Sequence, residues 1–168
     1  FVLNKIDTTI ILKNKFKGPK IDGRGSIHNL FFNNFKIKLI DQSYNANPET
    51  MIESIKNFSA YKNNNRNKYL ILGNMNELGV SSLDHHIEII KEIEKNFFDQ
   101  VILSGDSFKK ALNMFPELIN KYVYINQSKS IMRYLEKNIH KNAIIMAKCS
   151  NKTEVNNFVK KLKLLKNG

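Results

Sequence analysis

The chain has 168 residues, enough for one ordinary hydrophobic core, and carries a formal charge of +12, a pI of about 9.7 and one cysteine. The lone Cys149 excludes an internal disulfide framework and a cysteine zinc cluster, and no apolar run approaches a membrane span, so a soluble cytoplasmic chain without a membrane partner is expected. The positive charge is nearly all lysine, with Arg24, Arg66 and Arg133 the only arginines, and it lacks aromatic interleaving; a compositional bias explains it better than a nucleic-acid-binding stripe.

Residues 7–16 read as a short helix, with Asp7 as N-cap and Ile10, Ile11 and Phe16 as its apolar contacts, broken by Lys17-Gly18-Pro19-Lys20. Ile27 to Phe32 and Phe35 to Ile40 then flank Asn33-Asn34, a pair suited to a tight hairpin turn. After this second strand, Asn47 is a good N-cap, Pro48 suits the first helical position, and Met51, Ile52, Ile55 and Phe58 recur at helical spacing. The Asn-rich stretch 62–68 reads as a surface loop.

Beyond it the pattern changes to uninterrupted apolar runs at 69–72, 101–104, 122–125 and 143–147, the kind found in parallel strands covered on both faces. Helical patterns fill 82–95, 107–114 and 130–138, with a last one at 153–165. The alternation predicts an α/β fold: a Rossmann-like, mainly parallel sheet with an antiparallel edge hairpin, right-handed crossovers and helices on both faces. In that sheet 101–104 and 143–147 are expected to be neighbours.

The turn between the second strand and the Pro48 helix reads Asp41-Gln42-Ser43-Tyr44-Asn45-Ala46-Asn47-Pro48, at the carboxyl end of a strand, where open α/β sheets bind ligands. Gly23-Arg24-Gly25 precedes it; Leu72-Gly73-Asn74-Met75-Asn76-Glu77-Leu78-Gly79 and Lys148-Cys149-Ser150 follow. Together, and in this order, the four stretches closely resemble the C-terminal domain of the Mur ligases, with Asn74 where the family usually has Asp and Cys149 where it commonly has Gly.

The resemblance implies that residues 1–18 are a remnant of a central ATPase domain and its hinge, and that 19–168 are the C-terminal domain. Among the family's reactions it points to the ATP-dependent addition of D-alanyl-D-alanine to UDP-N-acetylmuramoyl tripeptide in peptidoglycan precursor synthesis, with ATP and Mg²⁺ as cofactors. No Gly-x-x-x-x-Gly-Lys-Ser/Thr loop occurs in the chain. The phosphate loop, the metal ligands and the uridine site are therefore expected in the N-terminal and central domains of the same protein. These residues alone are expected to hold no catalytic residue and no metal, to be inactive, and to act as a lid that completes the ATP site and supplies part of the dipeptide site.

Individual residues follow from the same comparison. Arg24, freed by flanking glycines, reads on its own as a solvated hinge arginine and by resemblance as a phosphate contact; Asp41 reads as a turn residue and by resemblance as a ribose contact. Tyr44 and Asn45 are either turn and edge residues or part of the ATP pocket, and Arg24, Asp41 and Tyr44 are expected to share one surface. Substrate-binding candidates are Asn47, which caps a helix in any case, Glu77, Lys148 for a carboxylate, and Ser150 at a helix start. His86 matches the family's histidine and reads as a packing or capping residue; Cys149 is not expected to be a nucleophile. A free-standing nucleotide- or anion-binding α/β module would use the same strand ends and stands as the alternative.

Overall fold

The computed structural model describes residues 22–62 and 67–165. The expected helix at 7–16 and the middle of the Asn-rich stretch lie outside them. Strands β1 (Ser26–Phe32) and β2 (Phe35–Gln42) form the antiparallel hairpin, and its two turn residues take left-handed conformations, Asn33 at φ 49° and Asn34 at φ 64°. A two-residue turn with both φ values positive matches the right-handed twist of its strands, and Asn tolerates that region better than most side chains do.

Four parallel strands complete the sheet: β3 (Lys68–Gly73), β4 (Gln100–Ser104), β5 (Val123–Tyr124) and β6 (Ile144–Lys148). The order across the sheet is β1-β2-β6-β3-β4-β5. The expected pairing of 101–104 with 143–147 is therefore wrong: β3 lies between them, pairing Leu72 with Lys148 on one side and with Leu103 on the other. Both runs are buried apolar strands whose side chains carry no pairing information, so their composition fits a central position but not a particular neighbour.

Among the described residues, five helices cover the sheet: α1 (Pro48–Ala60), α2 (Ser82–Glu94), α3 (Asp106–Leu112), α4 (Ser128–Asn138) and α5 (Glu154–Leu164). Alternate strand residues face opposite layers. Leu70, Leu72, Leu103 and Met146 pack with Met51 of α1, Ile89 of α2 and Phe108 of α3, whereas Ile71, Ile102, Ile145 and Ala147 pack with Leu135 of α4 and Phe158 of α5. The sheet is thus mainly parallel, with one antiparallel pair and a helical layer on each face. Among the described residues, no helix is long and apolar enough to cross a membrane.

The start of α1 is set by its sequence. Asn47 accepts the Thr50 amide at 2.9 Å, the Thr50 hydroxyl accepts the Asn47 amide at 3.3 Å, and Pro48 opens the helix, where a missing N–H costs nothing. This fixes how the chain leaves β2, and hence the shape of the 41–48 turn.

Candidate functional site

Strand alternation divides the residues at the end of β2 between the two faces. Asp41 continues the row of Ile37 and Leu39 toward α5, while Gln42 faces α1, where the Ser54 hydroxyl donates to its side-chain oxygen at 2.6 Å. Two cavities result. One, of about 390 Å³, is bordered by Arg24, Asn45, Asn47, Glu53 and Lys148. The other, of about 300 Å³, is bordered by Asp41, Tyr44, Asn156, Lys160 and Lys163. Gly23 lines both.

Arg24 and Tyr44 come together: the guanidinium lies over the phenol ring, 4.7 Å from its centre. Among the described residues no carboxylate pairs with Arg24 within ion-pair distance. Lys148, only 5% exposed, donates to the Asn45 carbonyl at 3.3 Å and borders the same cavity. Burial pushes its pKa below the ordinary lysine range, and the charge of Glu53 opposes that shift in part. The cavity therefore holds two cations, one of them poorly solvated, and one carboxylate, Glu53, beside two glycine backbones and the Asn45 turn. Such a set attracts and orients an anion.

Asp41 is placed differently from the other three. It is 0% exposed; one carboxylate oxygen accepts the Ser43 amide (3.0 Å) and hydroxyl (2.7 Å), and the other accepts Lys163 at 2.7 Å. It shares a cavity with Tyr44 but lies across Gly23 from the one that Arg24 borders, so of the three residues expected on one surface, Arg24 and Tyr44 meet and Asp41 is enclosed apart from Arg24. Asn45 is exposed and its side-chain oxygen accepts the Ala46 amide at 2.9 Å. Lys163 also pairs with Asp22, so an ammonium lies between the two carboxylates. Asp22, His28 and Asp41 offer ligand atoms within 4.8 Å of one another, but Lys163 already supplies the positive charge there, and the donor set does not fit a further cation while it does so.

Ser150 braces two of the motifs. Its hydroxyl accepts the Asn76 amide at 2.9 Å and donates to the Ala46 carbonyl at 3.4 Å, tying the loop after β3 to the turn after β2. Glu77 is exposed at φ 64° and lines neither cavity. His86 is buried: its Nε2 accepts the Met75 amide at 3.2 Å, so Nδ1 carries the proton and donates to the Ser82 carbonyl at 2.6 Å, and burial lowers its pKa. It pins the same loop to α2. Cys149 points into the core against Gly73 rather than toward the cavities, and burial pushes its thiol up to about 12.

A third cavity, of about 240 Å³, was not foreseen from the sequence. It lies where β3, β4 and β6 end and is bordered by Asn74, Gly105, Asp106, Lys152, Thr153 and Glu154. The Asn74 side-chain oxygen is buried there without a hydrogen-bond partner among the described residues. Residues so far apart in sequence gave no local signal.

The fold and its motifs agree with comparisons to known proteins. The family model described as "Mur ligase, glutamate ligase domain" matches residues 31–151. Among solved structures, the MurF ligase from Thermotoga maritima in complex with ADP superposes with a TM-score of 0.67 at 17% identity, covering 89% of this chain and 32% of that one. A MurF from Acinetobacter baumannii gives 0.69 at 19%, covering 87% and 31%. The UDP-N-acetylmuramoylalanyl-D-glutamyl-2,6-diaminopimelate–D-alanyl-D-alanyl ligase from the same organism gives 0.67 at 18%, covering 86% and 29%. The chain thus spans about a third of the length of these solved proteins. No curated protein sequence matches it. Family model, motif order and fold concur: the chain belongs to the Mur ligase family, of which it carries the C-terminal, glutamate ligase domain.

Proposed function

We propose that this domain is the nucleotide lid and dipeptide-binding part of an ATP-dependent ligase that joins D-alanyl-D-alanine to UDP-N-acetylmuramoyl tripeptide in the cytoplasm. The observation that carries the reading is the two-cation cavity at the ends of β2 and β6, with Arg24 held over Tyr44 and Lys148 almost wholly removed from solvent. ATP supplies the phosphoryl group that activates a carboxylate. Arg24 presents a planar cation to phosphate oxygens, and Lys148 adds a point charge where solvent screens it least. Tyr44 holds the guanidinium in place, and Asn45 shapes the turn from which its carbonyl orients Lys148.

Asp41 reaches a ribose hydroxyl only through the oxygen that Lys163 now occupies, so its part in nucleotide binding depends on Lys163 giving way toward Asp22. Mg²⁺ and the phosphate loop belong by this reading to preceding domains. The third cavity is the candidate for the dipeptide: Asp106 and Glu154 supply negative charge for its ammonium group and Lys152 positive charge for its carboxylate. Asn47 and Glu77 are left with capping and surface roles, and Ser150 with bracing the loops.

The test needs two forms of the protein. The 168 residues alone are expected to bind ATP weakly or undetectably by calorimetry and to hydrolyse none. In a form that carries the preceding domains, phosphate release is expected to require both tripeptide and dipeptide, and Arg24→Ala is expected to lower kcat by about 10²–10³. Unchanged turnover in that variant, or phosphate release that ignores the dipeptide, would refute the reading.

A further inference from the structure

The chain enters β1 through Asp22, Gly23, Arg24 and Gly25, and four contacts from three directions fasten this short segment. The Gly23 carbonyl accepts the Tyr44 amide at 3.1 Å, and the Gly25 amide donates to the Asp41 carbonyl at 2.7 Å. Gly23 lies against the Tyr44 backbone so closely that an added Cβ would sit 2.9 Å from its nitrogen. From the far end of the sequence, Lys163 in the last turn of α5 reaches both oxygens of Asp22 at 2.7 Å while also holding Asp41 at 2.7 Å.

We infer that Lys163 is a positioning residue: by cross-linking Asp22 to Asp41 it makes the Arg24-bearing segment a fixed part of this domain. Asp22 itself is open to solvent, with its side chain 72% exposed, whereas Lys163 is 16% exposed and Asp41 not at all. The clamp therefore has a buried, strongly held arm on Asp41 and an exposed, more easily broken arm on Asp22. With both arms closed, Arg24 moves only as the domain moves and keeps its distance to Lys148 and Tyr44. With the Asp22 arm open, the segment is held by its backbone contacts alone. That Arg24 then meets a phosphate in a set geometry rests on the ligase reading; the clamp does not.

Amide hydrogen exchange on the 168-residue chain separates the two. Asp22→Asn removes the charge of the exposed arm and leaves the Lys163–Asp41 pair intact, so the fold is retained. It is expected to speed exchange at the Gly25 and Tyr44 amides about fivefold, the size of one partly exposed ion pair, with Ile71 and Ile102 in the core unchanged. Lys163→Met is expected to exceed that effect, and Lys163→Arg to restore protection at both amides. Unaltered exchange at Gly25 and Tyr44 in Asp22→Asn, or an equal rise at Ile71 and Ile102, overturns the inference. Should Lys163→Met fail to fold because Asp41 is left buried and unpaired, Asp22→Asn decides alone. A ligase reading that fails its own turnover test leaves this result untouched, and the converse holds.

Discussion

Gly23 and Gly25 form a matched pair for testing how closely the entry segment is docked. Both take left-handed conformations, at φ 79° and φ 84°. An alanine at either position meets the same backbone penalty, about 1–2 kcal/mol for an L-residue in that region. Their surroundings differ: at Gly25 nothing lies within 4 Å of an added Cβ, whereas at Gly23 the Cβ would sit 2.9 Å from the Tyr44 nitrogen, 3.0 Å from its Cβ and 3.3 Å from its Cα. Two of those three atoms are backbone and cannot rotate aside, so overpacking of about 1–3 kcal/mol is added at Gly23 alone. Gly23→Ala is therefore expected to be less stable than Gly25→Ala by about 1–3 kcal/mol, or about 2–12 °C in Tm for a chain of this size. Urea unfolding of the two variants beside the parent measures the difference directly. Equal stabilities within about 0.5 kcal/mol would mean that the segment does not press on the Tyr44 turn, and the positioning of Arg24 argued from that contact would fall with it.

The other predictions concern the core and the hairpin. His86 is buried in its neutral form with a lowered pKa, so the unfolded chain binds the proton more readily; stability is fully present above a pH of about 6.5 and falls as the pH drops toward the lowered folded value. Urea unfolding from pH 7 to pH 5 is expected to show that loss, with a smaller slope in His86→Leu, and an equal slope would assign it elsewhere. Cys149, buried and with its thiol pushed up to about 12, is expected to resist alkylation at pH 8 until the chain unfolds; stoichiometric labelling of the native protein would contradict its placement. Asn34 at φ 64° is expected to accept glycine within about 0.5 kcal/mol, whereas Asn34→Val is expected to cost about 1–2 kcal/mol, both read from thermal unfolding.

Much of the fold was legible because local chemistry fixed it. Asn33-Asn34 encodes its own turn, Asn47-Pro48 its own helix start, and the apolar runs their own burial. The place of β6 was not legible, since strand order depends on how helices pack across the sheet and not on any run's composition. The site shows the same division. Arg24, Tyr44 and Lys148 stand out in motifs, and the structure gathers them around the end of β2. Asp41 was legible as a strand-end carboxylate, but its enclosure was not: that depends on Lys163, one of several lysines on the last helix, which nothing in the sequence sets apart from the others. Asn74, Asp106 and Lys152 meet only when three strand ends are brought side by side.

The position of β6 also governs when the molecule can assemble. Before residues 144–148 join, β1 and β2 can form one ribbon and β3, β4 and β5 another, yet no strand pairing connects the two. β6 bonds β2 on one side and β3 on the other, so the seam closes only after the five strands that precede it have left the ribosome. A nascent chain thus carries two half-sheets with unpaired inner edges, at β2 and at β3, until residues 144–148 have emerged, and those edges are open to foreign strands for that interval. The long sequence separation between β2 and β6 further slows the closing step relative to hairpin formation. Truncation just before residue 144 would leave the two ribbons without their shared partner, however well each forms by itself.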